Sequence, residues 1–213
     1  FALVATTNRL TLETTPMPLF WVLLLSAFLL SYVVGFSEWG ERYLPPLLFA
    51  ALISCVGAGV AQRLDAATAF EWILLSGVAF LFFGGALLHG WLHASRPGTE
   101  RLTTFYLGIA AGGATGGVTG SLLPPVLFKT VFEFPLAILL VAAACGVFAQ
   151  SGGMNQSVRR AVYGLAALAV VCGALCRQTH PEGCEVVTRE RNFYGTLRVE
   201  RKVLKSQFGS EQP

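Results

Sequence analysis

His89, Glu133, Arg96 and Tyr106 are the side chains of this 213-residue sequence whose types suit a ligand or polar site within or beside a membrane. An ionisable group in or next to an apolar run is costly to keep there, so it marks a site by default. His89 closes one apolar run and Glu133 opens another, while Glu71 lies near the start of a third. Two readings of His89 stay open. It is an interfacial imidazole bonded to a backbone carbonyl, or it is a pigment or metal ligand or part of a substrate pocket. A His–Glu proton relay is not expected. The run ending at His89 exits opposite the N-terminus, whereas the run starting at Glu133 enters from the N-terminal side. Cys176, His180 and Cys184 offer three ligands where structural zinc takes four, so no metal is expected. In an oxidising compartment Cys176 and Cys184 could instead close a small disulfide loop. Cys55, Cys145 and Cys172 fall inside apolar runs and read as small buried hydrophobes. No nucleophile–base pair or phosphate-binding loop is visible.

The densest pattern is a glycine stripe: Gly108, Gly112, Gly113, Gly116, Gly117 and Gly120. Spacings of four repeat along it, so a helix would carry a flat face without side chains. In lipid such a face lets a second helix approach closely. A nucleotide loop would need a preceding strand in a soluble βαβ unit, which is not present. The stripe is expected at the centre of a bundle or at a subunit contact.

These residues must be positioned by membrane helices. Hydrophobic residues make up 54% of the chain and charged residues 13%, against about 25% charged in soluble domains. Mean hydropathy is +0.62. A spanning helix needs about 20 apolar residues, and six runs approach that length: 19–36, 45–61, 70–89, 103–123, 131–149 and 161–176. The fourth is expected to stop at Pro124-Pro125. Isolated strands would leave backbone groups unpaired in lipid, so the runs are helices. The expected fold is all-α: residues 1–17 as an N-terminal segment, 18–177 as a six-helix transmembrane bundle, and 178–213 as an extramembrane tail. Trp39, Tyr43, Trp72 and Trp91 read as aromatic anchors at the two interfaces. No signal peptide is recognisable. Positive charges near the helix ends are divided between the two sides and leave the orientation open.

In the tail, Leu197 and Val199 alternate with Arg198 and Glu200, the period of a half-buried strand. Tyr194-Gly195 could turn the chain, giving a β-hairpin that needs a partner surface. The tail's basic residues are interleaved with acids. That pattern suits a membrane surface at least as well as nucleic acid, and no nucleic-acid partner is expected.

Several stretches together resemble the membrane region of bacterial fused spermidine synthase-like proteins. They are Ala5-Thr6-Thr7-Asn8 with Thr14-Thr15-Pro16-Met17-Pro18; His89-Gly90-Trp91-Leu92 with Arg96-Pro97; Leu102-Thr103-Thr104-Phe105-Tyr106-Leu107 with Gly112-Gly113 and Gly116-Gly117; Phe132-Glu133-Phe134-Pro135-Leu136; and Arg189-Glu190-Arg191-Asn192-Phe193-Tyr194-Gly195. The resemblance covers most of the chain. It implies a bacterial inner-membrane location and a cytoplasmic tail that opens an aminopropyltransferase-like domain. The sequence departs from that pattern in two ways. Trp91 stands where family members often carry an acid after His-Gly, and the sequence stops just past the expected hairpin. The nucleotide-binding sheet and acidic residues needed for aminopropyl transfer are not in this sequence. The expected role is therefore a non-catalytic membrane domain that anchors or scaffolds. An accessory subunit of a larger, energy-transducing or pigment-binding assembly is the alternative, and a small-solute transporter is the third reading. No cofactor is expected beyond pigment or lipid contact. The expected partners are membrane lipids and other membrane subunits.

Overall fold

A computed structural model of the chain describes residues 1–11, 18–64, 66–128, 132–174, 184–192 and 195–202. Among them eight α-helices precede two strands. These are α1 (Ala2–Thr11), α2 (Pro18–Gly35), α3 (Glu38–Arg42), α4 (Leu44–Ala61), α5 (Ala66–Ala94), α6 (Leu102–Leu127), α7 (Glu133–Ser151), α8 (Gln156–Ala174), β1 (Cys184–Asn192) and β2 (Gly195–Lys202). A single 3-10 turn, Thr99–Arg101, leads into α6.

Among the described residues five helices are long and apolar enough to cross a membrane: α2, α4, α5 from Ala69 onward, α7 and α8. The expected sixth, α6, is 26 residues long but does not qualify. Its glycines and threonines supply length without apolar area. Contrary to the expected stop, α6 continues through Pro124 and Pro125 to Leu127. A proline inside a helix removes an N–H and crowds the carbonyl four residues earlier. For Pro124 that earlier residue is Gly120, which adds no side chain to the crowding.

The core forms where α4 meets α5, α7 and α8. Leu48, Ala51, Leu52, Cys55 and Ala58 recur at helical spacing along α4 and are fully buried. Phe80 of α5 and Phe134 of α7 close the core with an edge-to-face contact at 5.6 Å. Cys55 and Cys145 are buried free thiols, and Cys172 is a half-buried one. Outward faces carry large apolar residues such as Leu19, Val33, Ile53, Leu75, Leu140 and Val171. Water would oppose that exposure, whereas lipid tails are as apolar as leucine. Trp39 and Trp72 are 71% and 66% exposed near helix ends, as interfacial anchors are. Trp91 departs from that reading. It turns inward and meets Phe148 edge to face at 5.3 Å.

The N-terminal segment holds an element that the apolar runs do not reveal. α1 packs against α2, α5, α6 and α7, with Ala5 and Thr6 fully buried. Thr6 and Thr7 donate their hydroxyls to the carbonyls of Ala2 and Leu3, which masks their polarity inside this contact.

β1 and β2 pair antiparallel, with Asn192 opposite Gly195 and a register irregularity between Val186 and Thr188. Tyr194 of the expected turn lies outside the described residues, as do Cys176 and His180, so the expected metal and disulfide readings are not addressed there.

Neighbouring glycines on α4 give a paired test of close packing. A Cβ on Gly59 would lie 2.8 Å from the Cβ of Cys172, whereas a Cβ on Gly57 meets nothing within 4 Å. Gly59→Leu is therefore expected to destabilise the bundle by about 1–3 kcal/mol through overpacking. Gly57→Leu is expected to lie within about 0.5 kcal/mol of the parent, as for ordinary surface changes. Denaturation in detergent micelles, followed by helical circular dichroism, measures both.

Candidate functional site

Three helices build a groove around His89. Successive turns of α2 present Phe28 and Tyr32 along one face, and Phe36 follows just past its end. His89 lies inside α5 rather than ending a helix, because α5 runs on to Ala94. Its imidazole sits among those aromatic rings, with centroids 5.6 Å from Phe28, 4.2 Å from Tyr32 and 6.2 Å from Phe36. The first half of α6 forms the facing wall through Thr104, Phe105, Gly108, Gly112 and Gly113. The groove has a volume of about 750 Å³ and is predominantly apolar. That falls within the range of ligand sites, roughly 300–1,000 Å³.

Hydrogen supply fixes how His89 can act. Ser31, fully buried beneath it, donates its hydroxyl to the Phe28 carbonyl at 2.6 Å. With that hydrogen committed, Ser31 Oγ meets His89 Nδ1, 3.4 Å away, as an acceptor. This arrangement favours the tautomer with the proton on Nδ1, in which Nε2 keeps its lone pair. Ser31 also bonds His89 through its backbone, the kind of partner expected from sequence, so both the side chain and the main chain of Ser31 hold the ring.

The other candidate residues go elsewhere. Glu133, at the first turn of α7, is fully buried, and Asn8 Nδ2 of α1 donates to its Oε1 at 3.1 Å. Arg9 of α1 bonds Gln62 at the end of α4. His89 bonds Ser31 of α2, whereas Glu133 bonds Asn8 of α1. Arg96 is exposed and donates to His93 Nε2 at 2.8 Å, and His93 approaches Glu41 of α3 at 3.9 Å. Tyr106 is half exposed and does not line the groove. The glycine stripe divides. Gly116 and Gly120 lie against Phe1, just before α1, while Gly108, Gly112, Gly113 and Gly117 would meet nothing within 4 Å if given a Cβ. Most of the stripe is therefore open rather than buried in this bundle.

Sequence reasoning missed Phe28, Tyr32, Ser31, His93 and Asn8. The aromatics of α2 did carry a signal, since residues four apart share a helix face. Asn8 carried none, because its importance depends on a carboxylate far along the chain.

Comparison with protein-family models, with curated proteins and with solved structures returned no match.

The contact between Asn8 and Glu133 is open to direct test. Asn8→Ala removes a donor from a fully buried carboxylate, and a lost hydrogen-bond partner at such a site costs about 1–3 kcal/mol or more. A lowered denaturation midpoint is expected. Asn8→Gln, whose longer amide can still reach, is expected to recover part of it.

Proposed function

We propose that this chain is a non-catalytic membrane domain of the spermidine synthase-like kind, which holds an extramembrane unit at the bilayer. The observation that carries this reading is the order of its parts. Five membrane-length helices come first, and a two-stranded antiparallel pair, joined by no other strand among the described residues, follows them. A lone two-stranded pair is marginal in water. On this reading it is a hairpin on the cytoplasmic side of a bacterial inner membrane, where β1 touches α6 and the rest of an extramembrane domain or another subunit covers the remainder.

α6 is read here as a sixth span. Its first half faces His89 near the end of α5, and Gly120 lies against α1, which also reaches Gly77 in the first half of α5. From Thr104 to Gly120 a helix advances roughly 24 Å, at about 1.5 Å per residue, most of the hydrocarbon thickness. Its weak apolarity is supplemented by whatever packs on the open glycines. That face also favours a second reading, in which the chain is an accessory subunit docked through α6 into a larger membrane assembly. Membrane lipids are partners in both readings.

Two measurements test the anchoring role. The chain is expected to stay in the membrane pellet after an alkaline carbonate wash, and release into the supernatant refutes it. A reporter fused after Pro213 is expected to be active only if it folds in the cytoplasm, whereas activity of an alkaline phosphatase fusion places the tail outside. In the coding sequence beyond codon 213, a strand–helix nucleotide-binding unit favours the anchor, and a stop codon favours the accessory subunit.

A further inference from the structure

From the groove between α2, α5 and α6 we infer a binding site for an isoprenoid quinol: a single flat ring carrying hydroxyls, with a long apolar tail. The inference concerns the groove alone and does not rest on the anchoring role.

Three features select this class. The first is shape. Gly112 and its neighbours form a wall without side chains, Phe105 stands beside it, and Phe28 and Tyr32 stand opposite. A slot with a smooth wall and an aromatic wall suits a planar ring, because aromatic faces prefer offset or edge contacts with other rings. The second feature is the balance of polarity. The groove is apolar apart from His89 and the hydroxyls of Tyr32 and Thr104. Such a site orients one polar head and leaves the rest of the ligand to dispersion and lipid. The third feature decides the oxidation state. Ser31 favours the His89 tautomer with the proton on Nδ1, which leaves Nε2 an acceptor. A hydroxylated ring supplies the hydrogen that Nε2 needs, whereas the oxidised quinone offers only carbonyl oxygens. The hydroxyls of Tyr32 and Thr104 can bond either form, so it is His89 that tips the groove toward the reduced one.

The test uses the full chain purified in detergent and titrated anaerobically with decylbenzoquinol, binding being read from quenching of tryptophan fluorescence. Saturable binding is expected, with the quinol at least about fivefold tighter than the oxidised quinone, the scale of one hydrogen bond. Gly112→Leu fills open space and should leave the helical signal and elution volume unchanged while weakening binding at least about tenfold. His89→Leu should weaken quinol binding by roughly five- to tenfold and abolish the preference for the reduced form. His89→Gln, which retains an acceptor oxygen, should restore part of both. Should Gly112→Leu disturb the fold, Ala110→Phe offers a second way to obstruct the groove from an exposed position. Gly57→Leu, with open space around an exposed α4 position, is the control for detergent partitioning. The inference is overturned by any one of four results: no saturable binding, equal binding after either groove-filling change, no preference for the reduced form, or a tetrapyrrole absorbance band in the purified protein.

Discussion

The crossing of α2 over α5 is set at a distance that only glycine permits. A Cβ on Gly35 would lie 2.5 Å from the Cβ of His89 and 2.9 Å from the backbone nitrogen of Gly90. No side chain fits there without moving one helix. The close approach brings Ser31 under the imidazole and ranges Phe28, Tyr32 and Phe36 around it. The tautomer of His89, and with it the chemistry of the groove, follows from this crossing. Were the helices separated by an ordinary side chain, Ser31 would no longer reach Nδ1, and the histidine would lose its fixed orientation.

Close approach also explains how the bundle holds together. Hydrophobic driving force between helices is weak in lipid, so dispersion and interhelical hydrogen bonds must serve. Gly59 against Cys172 brings α4 to α8, and the small residues Ala51, Cys55 and Ala58 continue the same face of α4. Bulky apolar residues are left to the outside, where lipid accepts them. The glycines of α6 break this economy. Four of them would have nothing within 4 Å of an added Cβ, so the helix carries the conformational cost of glycine there without the close packing that normally offsets it. That imbalance is the physical ground for reading α6 as a helix completed by a ligand or a partner.

At the other end of the bundle α1 performs a different task. It covers the start of α7 and supplies Asn8 to Glu133, a carboxylate with no exposed surface. A buried charge is tolerated only when hydrogen-bonded or paired. α1 also bonds Gln62 through Arg9 and seats Thr6 against Gly77. A short amphipathic helix thus ties the end of α4, the first half of α5 and the start of α7 together, and its polar residues do so from within the packing.

Composition and run length alone determined that this chain is helical and suited to a bilayer, because apolar content and span length are local properties that no tertiary contact can reverse. They also located His89, Glu133 and the glycine stripe as the unusual residues. Sequence could not tell whether the glycines of α6 were covered, since glycine at helical spacing reads the same whether a neighbour packs on it or not. Nor could it see α1, whose ten residues are too few and too polar to register as a span, yet whose burial depends on three distant helices. The partner of His89 lies on α2, far earlier in the chain, and Asn8 and Glu133 are separated by most of its length. Only the tertiary structure decided which polar residues meet. Hydrogen bonding is short-ranged and directional, so two residues become a site only when the helix crossing brings their atoms within reach.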